Sequence, residues 1–314
     1  MSDGASQLVT VFMGTPELAV PSLECLARRT RLREVITQPD RPAGRGRRLM
    51  APPVKQAAER LGLPVWQPEG LRQADPSRLA GVDMVVVLAY GELLRQPWLD
   101  TPRLGCINLH ASLLPRWRGA SPLQAAIRAG DTETGVTVMR MVRALDAGPT
   151  YNQRRLPLSA EATLPWLHDA IAELSAQALD DFLRQHLYDE PQPQNPQLVT
   201  TCGKLQSGDG AVDWRAGWRA VDRQLRAYEP SPGCWTNLPD GSRLRLRAAC
   251  PRPQQVLPAG DCALVDGEWL VGCGDGSLAL KRVQPPGKPA MDAISYCNGH
   301  ALPQRLGEAA QAGA

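Results

Sequence analysis

The chain has 314 residues, of which 43% are hydrophobic, and its formal net charge is +3. This length allows two domains of ordinary size, and the weak positive charge permits a nucleic-acid partner without requiring one. The longest apolar run, at residues 84–89, is far too short to cross a bilayer, and the polar N-terminus lacks a signal-peptide pattern. We therefore predict a cytoplasmic globular protein that has no membrane partner.

The first half of the chain alternates short apolar runs with helical patterns. Residues 8–13 predict a strand, which a tight turn at 14–16 joins to a helix. Further strands are predicted at 33–37, 64–66, 83–89, 104–109 and 135–141, and helices at 54–61 and 122–129. Strands that alternate with helices imply right-handed crossovers. The predicted fold is α/β, with a Rossmann-like, open and mostly parallel sheet.

The second half follows a different pattern. A long amphipathic helix is predicted at 162–186, and a segment rich in proline and glutamine follows it. Beyond that segment, one helix at 215–227 precedes short strands that are broken by turns, which is typical of a small β-barrel or sandwich. We divide the chain into an N-terminal domain at 1–188, a linker at 189–206 and a smaller C-terminal domain at 207–314.

The eight cysteines predict neither disulfides nor a metal site. They contain no Cys-x-x-Cys pair and no histidine at the spacing of a zinc ligand. A chain of this length builds a core that needs no covalent staples. We predict reduced thiols and no bound metal.

Asn108 and His110 lie two residues apart at the end of a predicted strand. Alternation along a strand directs both side chains to one face, and ligands of open α/β sheets bind at the carboxyl ends of strands. An asparagine amide can donate to a developing oxyanion, and a histidine can accept a proton from an attacking amine. Asp146, after the next strand, could orient the imidazole. The alternative interpretation is a structural histidine and a turn-forming aspartate.

Two segments resemble a known family. Residues 108–119 read Asn-Leu-His-Ala-Ser-Leu-Leu-Pro-Arg-Trp-Arg-Gly, and Leu-Asp-Ala-Gly follows at 145–148. Together they resemble the folate-dependent formyltransferases. Residues 37–50, Thr-Gln-Pro-Asp-Arg-Pro-Ala-Gly-Arg-Gly-Arg-Arg-Leu-Met, resemble the members of that family that act on tRNA. The resemblance is dense from residue 8 to 150 and thin as far as 290.

The resemblance implies that 10-formyltetrahydrofolate donates a formyl group to the amine of methionyl initiator tRNA. Asn108 would hold the formyl oxygen, His110 would assist the attacking amine, and Asp146 would position His110. No metal enters this chemistry, and nothing in the sequence demands a dimer, so we predict a monomer. The resemblance also implies an OB-like barrel as the C-terminal domain. The residues expected around the donor are Tyr90, Ser112, Leu113, Leu114, Pro115, Arg143 and Ala144.

The expected donor pocket departs from the family pattern. Glu92 stands where the family usually has an apolar residue, and Arg95 stands where it usually has proline. Residues 142–144 replace a segment that usually ends in glycine. These departures leave a second possibility open, a divergent relative that formylates an amino sugar or another small-molecule amine. The third possibility is a catalytically weak RNA-binding protein.

Arginines cluster in the loop that starts at residue 40. Such a cluster is often only a solvated loop, but the resemblance implies an arm that contacts the acceptor stem of initiator tRNA. The loop lacks the third glycine of a dinucleotide-binding fingerprint, so we predict no NAD site. The candidate tRNA contacts are Arg41, Arg45, Arg47, Arg48 and Lys204.

The C-terminal domain carries two further arginine patterns. One is spaced to share a helix face, and the other alternates with leucines as in a strand. They predict a basic surface that binds tRNA, although an ordinary solvated edge strand explains the second pattern equally well. The two groups are Arg215, Arg219, Arg223 and Arg226, then Arg243, Arg245 and Arg247.

Overall fold

A computed structural model describes residues 4–43 and 48–307. These residues fall into two compact units. The first comprises the chain up to residue 122 together with 133–157 and 168–202. The second comprises 123–132, 158–167 and the chain from residue 203 onward.

The elements that precede residue 203 are mostly short strands joined by helices. The strands are β1 Val9–Gly14, β2 Arg31–Ile36, β3 Arg41–Ala43, β4 Arg48–Met50, β5 Val65–Trp66, β6 Met84–Leu88, β7 Cys106–His110, β8 Arg118–Gly119, β9 Glu133–Arg140, β10 Thr150–Pro157 and β11 Thr201–Cys202. The helices are α1 Val20–Arg29, α2 Pro53–Arg60, α3 Gln96–Asp100, α4 Pro122–Ala129 and α5 Leu164–Asp181, which continues as a π-helical turn at Phe182–His186.

The first unit is built on a seven-stranded sheet with the order β10-β9-β7-β6-β1-β2-β5. The central strands pair in parallel, and β9 and β10 add antiparallel pairs at one edge. Strand order reverses beside β1, with β2 on one side and β6 on the other. This sheet confirms the predicted α/β fold and places the reversal, where ligands bind in such sheets, between β1 and β6, one strand away from β7.

Burial explains which strands the sequence predicts well. All five residues of β6 are buried because both faces of the central sheet are covered, so the strand is a continuous apolar run. The edge strand β10 is mostly polar and half-exposed, and its pattern gives no strand signal. The paired strands β3 and β4 likewise occupy a stretch that the sequence predicts as a loop.

The second unit contains an antiparallel sheet. Its strands are β12 Cys234–Asn237, β13 Arg243–Arg252, β14 Cys262–Val265, β15 Glu268–Cys273, β16 Gly276–Gln284 and β17 Met291–Asp292, and its helices include α6 Trp218–Tyr228 and α7 Ala293–Gly299. The strand order is β12-β13-β16-β15-β14, with β17 also paired to β16. The sheet is barrel-like but not closed, because β12 and β14 are not paired with each other within the described residues.

The sequence predicts neither a membrane-spanning helix nor disulfide bonds. No helix in the described part of the chain is both long and apolar enough to span a membrane. All eight cysteines lie in that part, and no disulfide joins any two of them there.

Candidate active site

The predicted polar residues meet at the carboxyl edge of the first sheet. The hydroxyl of Thr15, after β1, donates to the carbonyl of Tyr90, after β6, at 2.8 Å. This bond joins the two strands between which the strand order reverses. Four non-glycine residues in the described ranges have left-handed backbones, and three of them, Ala89, Trp117 and Asp146, belong to the loops of this edge. Backbone strain of this kind is concentrated at functional sites.

His110 is the last residue of β7, and only 6% of its side chain is exposed. Its Nε2 lies 2.9 Å from the carbonyl oxygen of Trp117. Because a carbonyl only accepts hydrogen bonds, Nε2 carries the hydrogen and donates it. In the neutral imidazole, Nδ1 is then the nitrogen with the free lone pair. The structure therefore assigns the proton-accepting position of this histidine to Nδ1.

Asp146 faces that nitrogen. Its Oδ1 lies 3.7 Å from Nδ1 of His110, and its Oδ2 accepts a hydrogen bond from the backbone N–H of Gly119 at 2.8 Å. A separation of 3.7 Å is too long for a hydrogen bond, but it is short enough for strong attraction between opposite charges in a buried site. The carboxylate can therefore stabilise a proton that arrives on Nδ1.

Asn108 lies two residues before His110 on β7 and is half-buried. Because both residues lie within the regular strand β7, alternation puts their side chains on the same face of the sheet. The amide of Asn108 makes no hydrogen bond to any other described residue, whereas the backbone around it is paired with β6 and β9. A rigid strand therefore presents an amide that can donate to a ligand.

The loop after His110 contains four of the residues expected around the donor. Ser112 is fully buried, and its hydroxyl donates to the carbonyl of Arg116 at 2.6 Å, so it holds the loop together. Leu114 is buried as well, whereas Leu113 and Pro115 are half-buried. Leu113 and Pro115 therefore offer more surface to a ligand than the buried Ser112 and Leu114 do.

Tyr90 is 2% exposed, and its burial raises the pKa of its hydroxyl. Close to it, both carboxylate oxygens of Glu92 accept a hydrogen bond from the backbone N–H of Leu71, at 3.0 and 3.1 Å. Arg95 is exposed and immediately precedes α3. Of the two departures from the family pattern, Glu92 therefore anchors a loop through hydrogen bonds, and Arg95 lies on the surface.

The loop before Asp146 is open to solvent. Arg143 and Ala144 are both exposed, and so are the apolar side chains of Val142 and Leu145, by 39% and 55%. Exposed apolar side chains beside a polar site are typical of a surface that binds a flat organic ligand.

No thiol at this edge is set up as a nucleophile. Cys202 lies beside the loop after β7, with its Sγ 3.5 Å from the carbonyl oxygen of Trp117. Burial raises its pKa, which keeps the thiol protonated. The arrangement therefore fits direct attack by a substrate amine, assisted by His110.

Glycine is required at position 119. Its φ is 120°, and a Cβ atom there would lie 2.0 Å from the carbonyl oxygen of Cys202. We expect Gly119→Ala to lower the free energy of unfolding by about 1–3 kcal/mol, measured by urea denaturation, because of backbone strain and the steric clash. Gly203→Ala is the matched control, since a methyl group there meets nothing within 4 Å. Equal stability of both variants would show that the loop relaxes freely.

The candidate tRNA contacts are described only in part. Arg45 and Arg47 lie outside the described residues, and of Arg48 only the backbone pairing in β4 is described. Arg41 is exposed and donates to the side-chain carbonyl of Gln38 at 3.3 Å, and Lys204 is exposed.

Three of the four arginines predicted to share a helix face lie on α6, and the spacing of Arg219, Arg223 and Arg226 keeps them on one face. Arg215 lies before the helix, which begins at Trp218. Arg223 donates to the carbonyl at the end of α4 at 3.3 Å, and Arg226 pairs with Asp222 at 2.9 Å. The prediction is therefore wrong for Arg215 alone, and two of the arginines on α6 are engaged by a carbonyl or a carboxylate of their own unit.

The alternation along β13 is confirmed. Leu244 and Leu246 are buried, and the intervening arginines lie on the other face. The guanidinium of Arg243 lies 3.9 Å from the ring centroid of Trp235, beside a cleft of about 530 Å³. An arginine next to an accessible indole offers both charge and a stacking surface, which are the two features that bind single-stranded nucleic acid.

Comparisons with known proteins agree with this arrangement. Residues 9–183 match the formyl transferase family, and residues 204–301 match the formyl transferase C-terminal domain. A methionyl-tRNA formyltransferase from Granulibacter bethesdensis is 43% identical over 306 residues, which are 95% of this chain and 96% of that protein. The enzyme of the same name from Halorhodospira halophila is 44% identical over 93% of this chain and 96% of its own length.

Solved structures resemble the chain in fold at low sequence identity. An N-formyltransferase from Helicobacter canadensis, in complex with folinic acid and dTDP-3-aminofucose, has a TM-score of 0.63 and 14% identity over 87% of this chain and 98% of its own. HypX from Aquifex aeolicus, in complex with tetrahydrofolic acid, has a TM-score of 0.59 and 17% identity over 92% of this chain, which spans 46% of HypX.

Proposed function

The chain belongs to the methionyl-tRNA formyltransferases within the formyltransferase family, and we propose that it transfers a formyl group from 10-formyltetrahydrofolate to the amine of methionyl initiator tRNA. The observation that carries the proposal is the buried His110, with Asp146 facing Nδ1, beside the unpartnered amide of Asn108 at the sheet edge. Formation of formylmethionyl-tRNA by the purified chain tests it.

His110 moves the proton in this proposal. Its Nε2 is held by the carbonyl of Trp117, so Nδ1 accepts the proton that the methionine amine loses during attack. The same proton would pass to the donor nitrogen as the bond between that nitrogen and the formyl carbon breaks, so that tetrahydrofolate leaves and His110 returns to its neutral form. Asp146, 3.7 Å away, stabilises the resulting imidazolium by its charge. The carboxylate needs no proton transfer of its own, and its bond to the N–H of Gly119 holds it in place.

Asn108 supplies the hydrogen-bond donor. 10-Formyltetrahydrofolate supplies the formyl group, and its formyl oxygen gains negative charge as the amine attacks. A preorganised amide N–H that faces this oxygen lowers the barrier, because it needs no reorientation during the reaction. The amide of Asn108 fits this role, since no described residue occupies it.

We propose that the donor lies between the loop after β7 and the loop before Asp146. Leu113, Pro115 and the exposed residues Arg143 and Ala144 provide accessible surface there, whereas Tyr90, Ser112 and Leu114 are buried. Glu92 is engaged by the backbone of Leu71, so its charge does not stand free in the pocket. This favours an ordinary folate donor in spite of the departures from the family pattern.

The acceptor is proposed to bind along basic residues of both domains. The domains are 1–188, which carries catalysis, and 207–314, which binds tRNA, with a linker at 189–206. Arg243 over Trp235 offers one stacking and charge contact in the second domain. We further propose that the protein works as a monomer in the cytoplasm. The remaining candidate contacts are Arg41, Arg45, Arg47, Arg48 and Lys204.

Arg45→Ala is expected to weaken the use of tRNA while the slow hydrolysis of the formyl donor is unchanged. The logarithm of tRNA affinity should fall with the logarithm of salt concentration, and the variant should reduce this slope by about one, because one phosphate contact is lost. Binding titrations over a range of salt concentrations measure this. Arg60→Ala, at an exposed position on α2, is the control. Equal loss of hydrolysis and tRNA use would instead indicate a role in folding.

A further inference from the structure

The segment that the sequence predicts as a linker is bonded to both loops of the active site. We call residues 192–202 the strap. Its start pairs with β10, where the backbones of Gln192 and Thr150 exchange two hydrogen bonds of 2.8 Å. Its end pairs with the loop after His110, because β11 and β8 lie side by side. The strap therefore spans from the Asp146 loop to the loop that holds His110, all within the first unit.

Gln194 is the side chain of the strap that reaches the Asp146 loop. Its Nε2 donates to the carbonyls of Asp146 and Gly148, both at 2.8 Å. Its Oε1 accepts a hydrogen bond from Nε of Arg118 at 2.9 Å. The Gln194 amide thus uses both of its N–H donors and one of its two acceptor lone pairs to join the Asp146 loop to Arg118.

These bonds close a ring around the catalytic carboxylate. Arg118 is bonded to Gln194, which is bonded to the backbone carbonyl of Asp146, whose carboxylate is bonded to the N–H of Gly119. Gly119 follows Arg118 in the chain, so the circuit is complete. A ring of short hydrogen bonds fixes the distance between Asp146 and the loop after β7. That loop contains Trp117, whose carbonyl is bonded to His110.

The strap also holds the two strained residues that flank His110. Asp146 and Trp117 have φ values of 49° and 61°. Gln194 bonds the carbonyl of the first, and the Thr200 hydroxyl accepts the N–H of the second at 2.9 Å. Left-handed backbones of non-glycine residues persist only where surrounding contacts determine them. The strap supplies such a contact to each.

We propose that Gln194 is a positioning residue for formyl transfer, one that sets the placement of Asp146 relative to Nδ1 of His110. This inference rests on the proposed function, because it concerns the same reaction. Gln194 touches no reacting atom in this account. It acts through Asp146, and its two amide N–H donors, rather than its pairing with Arg118, carry the effect.

The test compares kcat and KM for methionyl initiator tRNA in the full chain and its variants. Gln194→Ala and Gln194→Glu should each lower kcat by about 10-fold or more, as expected when a catalytic group is slightly displaced, and leave KM for tRNA nearly unchanged. Gln194→Glu keeps the size and the acceptor for Arg118 but loses both N–H donors. Gln197→Ala is the matched control, since that side chain is exposed and makes no hydrogen bond within the described residues. Wild-type activity from Gln194→Glu would overturn the proposal.

A double-mutant comparison separates positioning from general stability. In an Asp146→Asn background, Gln194→Ala should cost little further activity, because residues that act through one another are not additive. A full additional loss of kcat in that background would also overturn the proposal. The wild-type chain measured in the same assay tests the proposed function itself, so failure of the two hypotheses is distinguished.

Discussion

His110→Ala is expected to lower kcat for formyl transfer by at least about 10²-fold, the scale on which enzymes lose a positioned proton-transfer group. The histidine is buried at the end of a rigid strand, and Nδ1 is the nitrogen left to take the proton from the amine. No other described imidazole lies at this sheet edge, so the variant has no substitute base. Single-turnover formylation of methionyl initiator tRNA measures the effect on chemistry directly.

The control for this substitution is His168→Ala, because His168 lies partly exposed on α5 beside Asp169. It should retain wild-type kcat and the wild-type unfolding midpoint, whereas His110→Ala should fold with a lower midpoint, because it loses the buried bond to the Trp117 carbonyl. If His110→Ala retains activity within a few-fold of wild type, the proton-transfer role of this residue is wrong. Loss of activity in both variants would point to the fold instead.

Asn108→Ala is expected to lower kcat by roughly 10²–10³-fold, as removal of a single oxyanion donor does. The side chain is half-buried on a central strand, and its amide meets no described partner, so truncation leaves few lost contacts in the fold. The effect should therefore fall on kcat more than on stability, and KM for tRNA should change little, because the bond strengthens as charge develops.

Asn108→Asp sharpens this test. It keeps the size of the side chain but removes both N–H donors and adds an acceptor, so it should be at least as inactive as the alanine variant. The exposed Asn298, in α7, supplies the control Asn298→Ala. An active Asn108→Asp enzyme would contradict the proposed contact with the formyl oxygen.

Much of the fold could be predicted because the central strands are apolar runs of fixed length. The patterns at 83–89 and 104–109 predict β6 and β7 to within two residues, since burial on both faces makes β6 and the start of β7 apolar. The polar edge strand β10 and the hairpin of β3 and β4 gave no such signal, because their pairing depends on a neighbouring strand rather than on their own pattern.

The residues of the candidate site likewise fall into those that the sequence could indicate and those that it could not. Asn108, His110 and Asp146 could be found from residue types and strand ends. The carbonyl of Trp117 could not, because every residue carries a carbonyl and only the folded loop brings this one to His110. Gln194 could not be found either, because it lies in a stretch of proline and glutamine that is typical of a linker. The bonds from Gln194 to the Asp146 loop span more than 45 residues of sequence, so no local pattern indicates them.

The comparison with the most weight uses one formyl donor and several acceptors. The purified chain would be given 10-formyltetrahydrofolate with initiator methionyl-tRNA, elongator methionyl-tRNA, free methionine or a nucleotide-linked amino sugar, and the formylated product would be quantified. We expect formylmethionyl-tRNA from the initiator species, with far lower rates for the other acceptors. Rapid formylation of the amino sugar together with unmodified initiator tRNA would contradict the account.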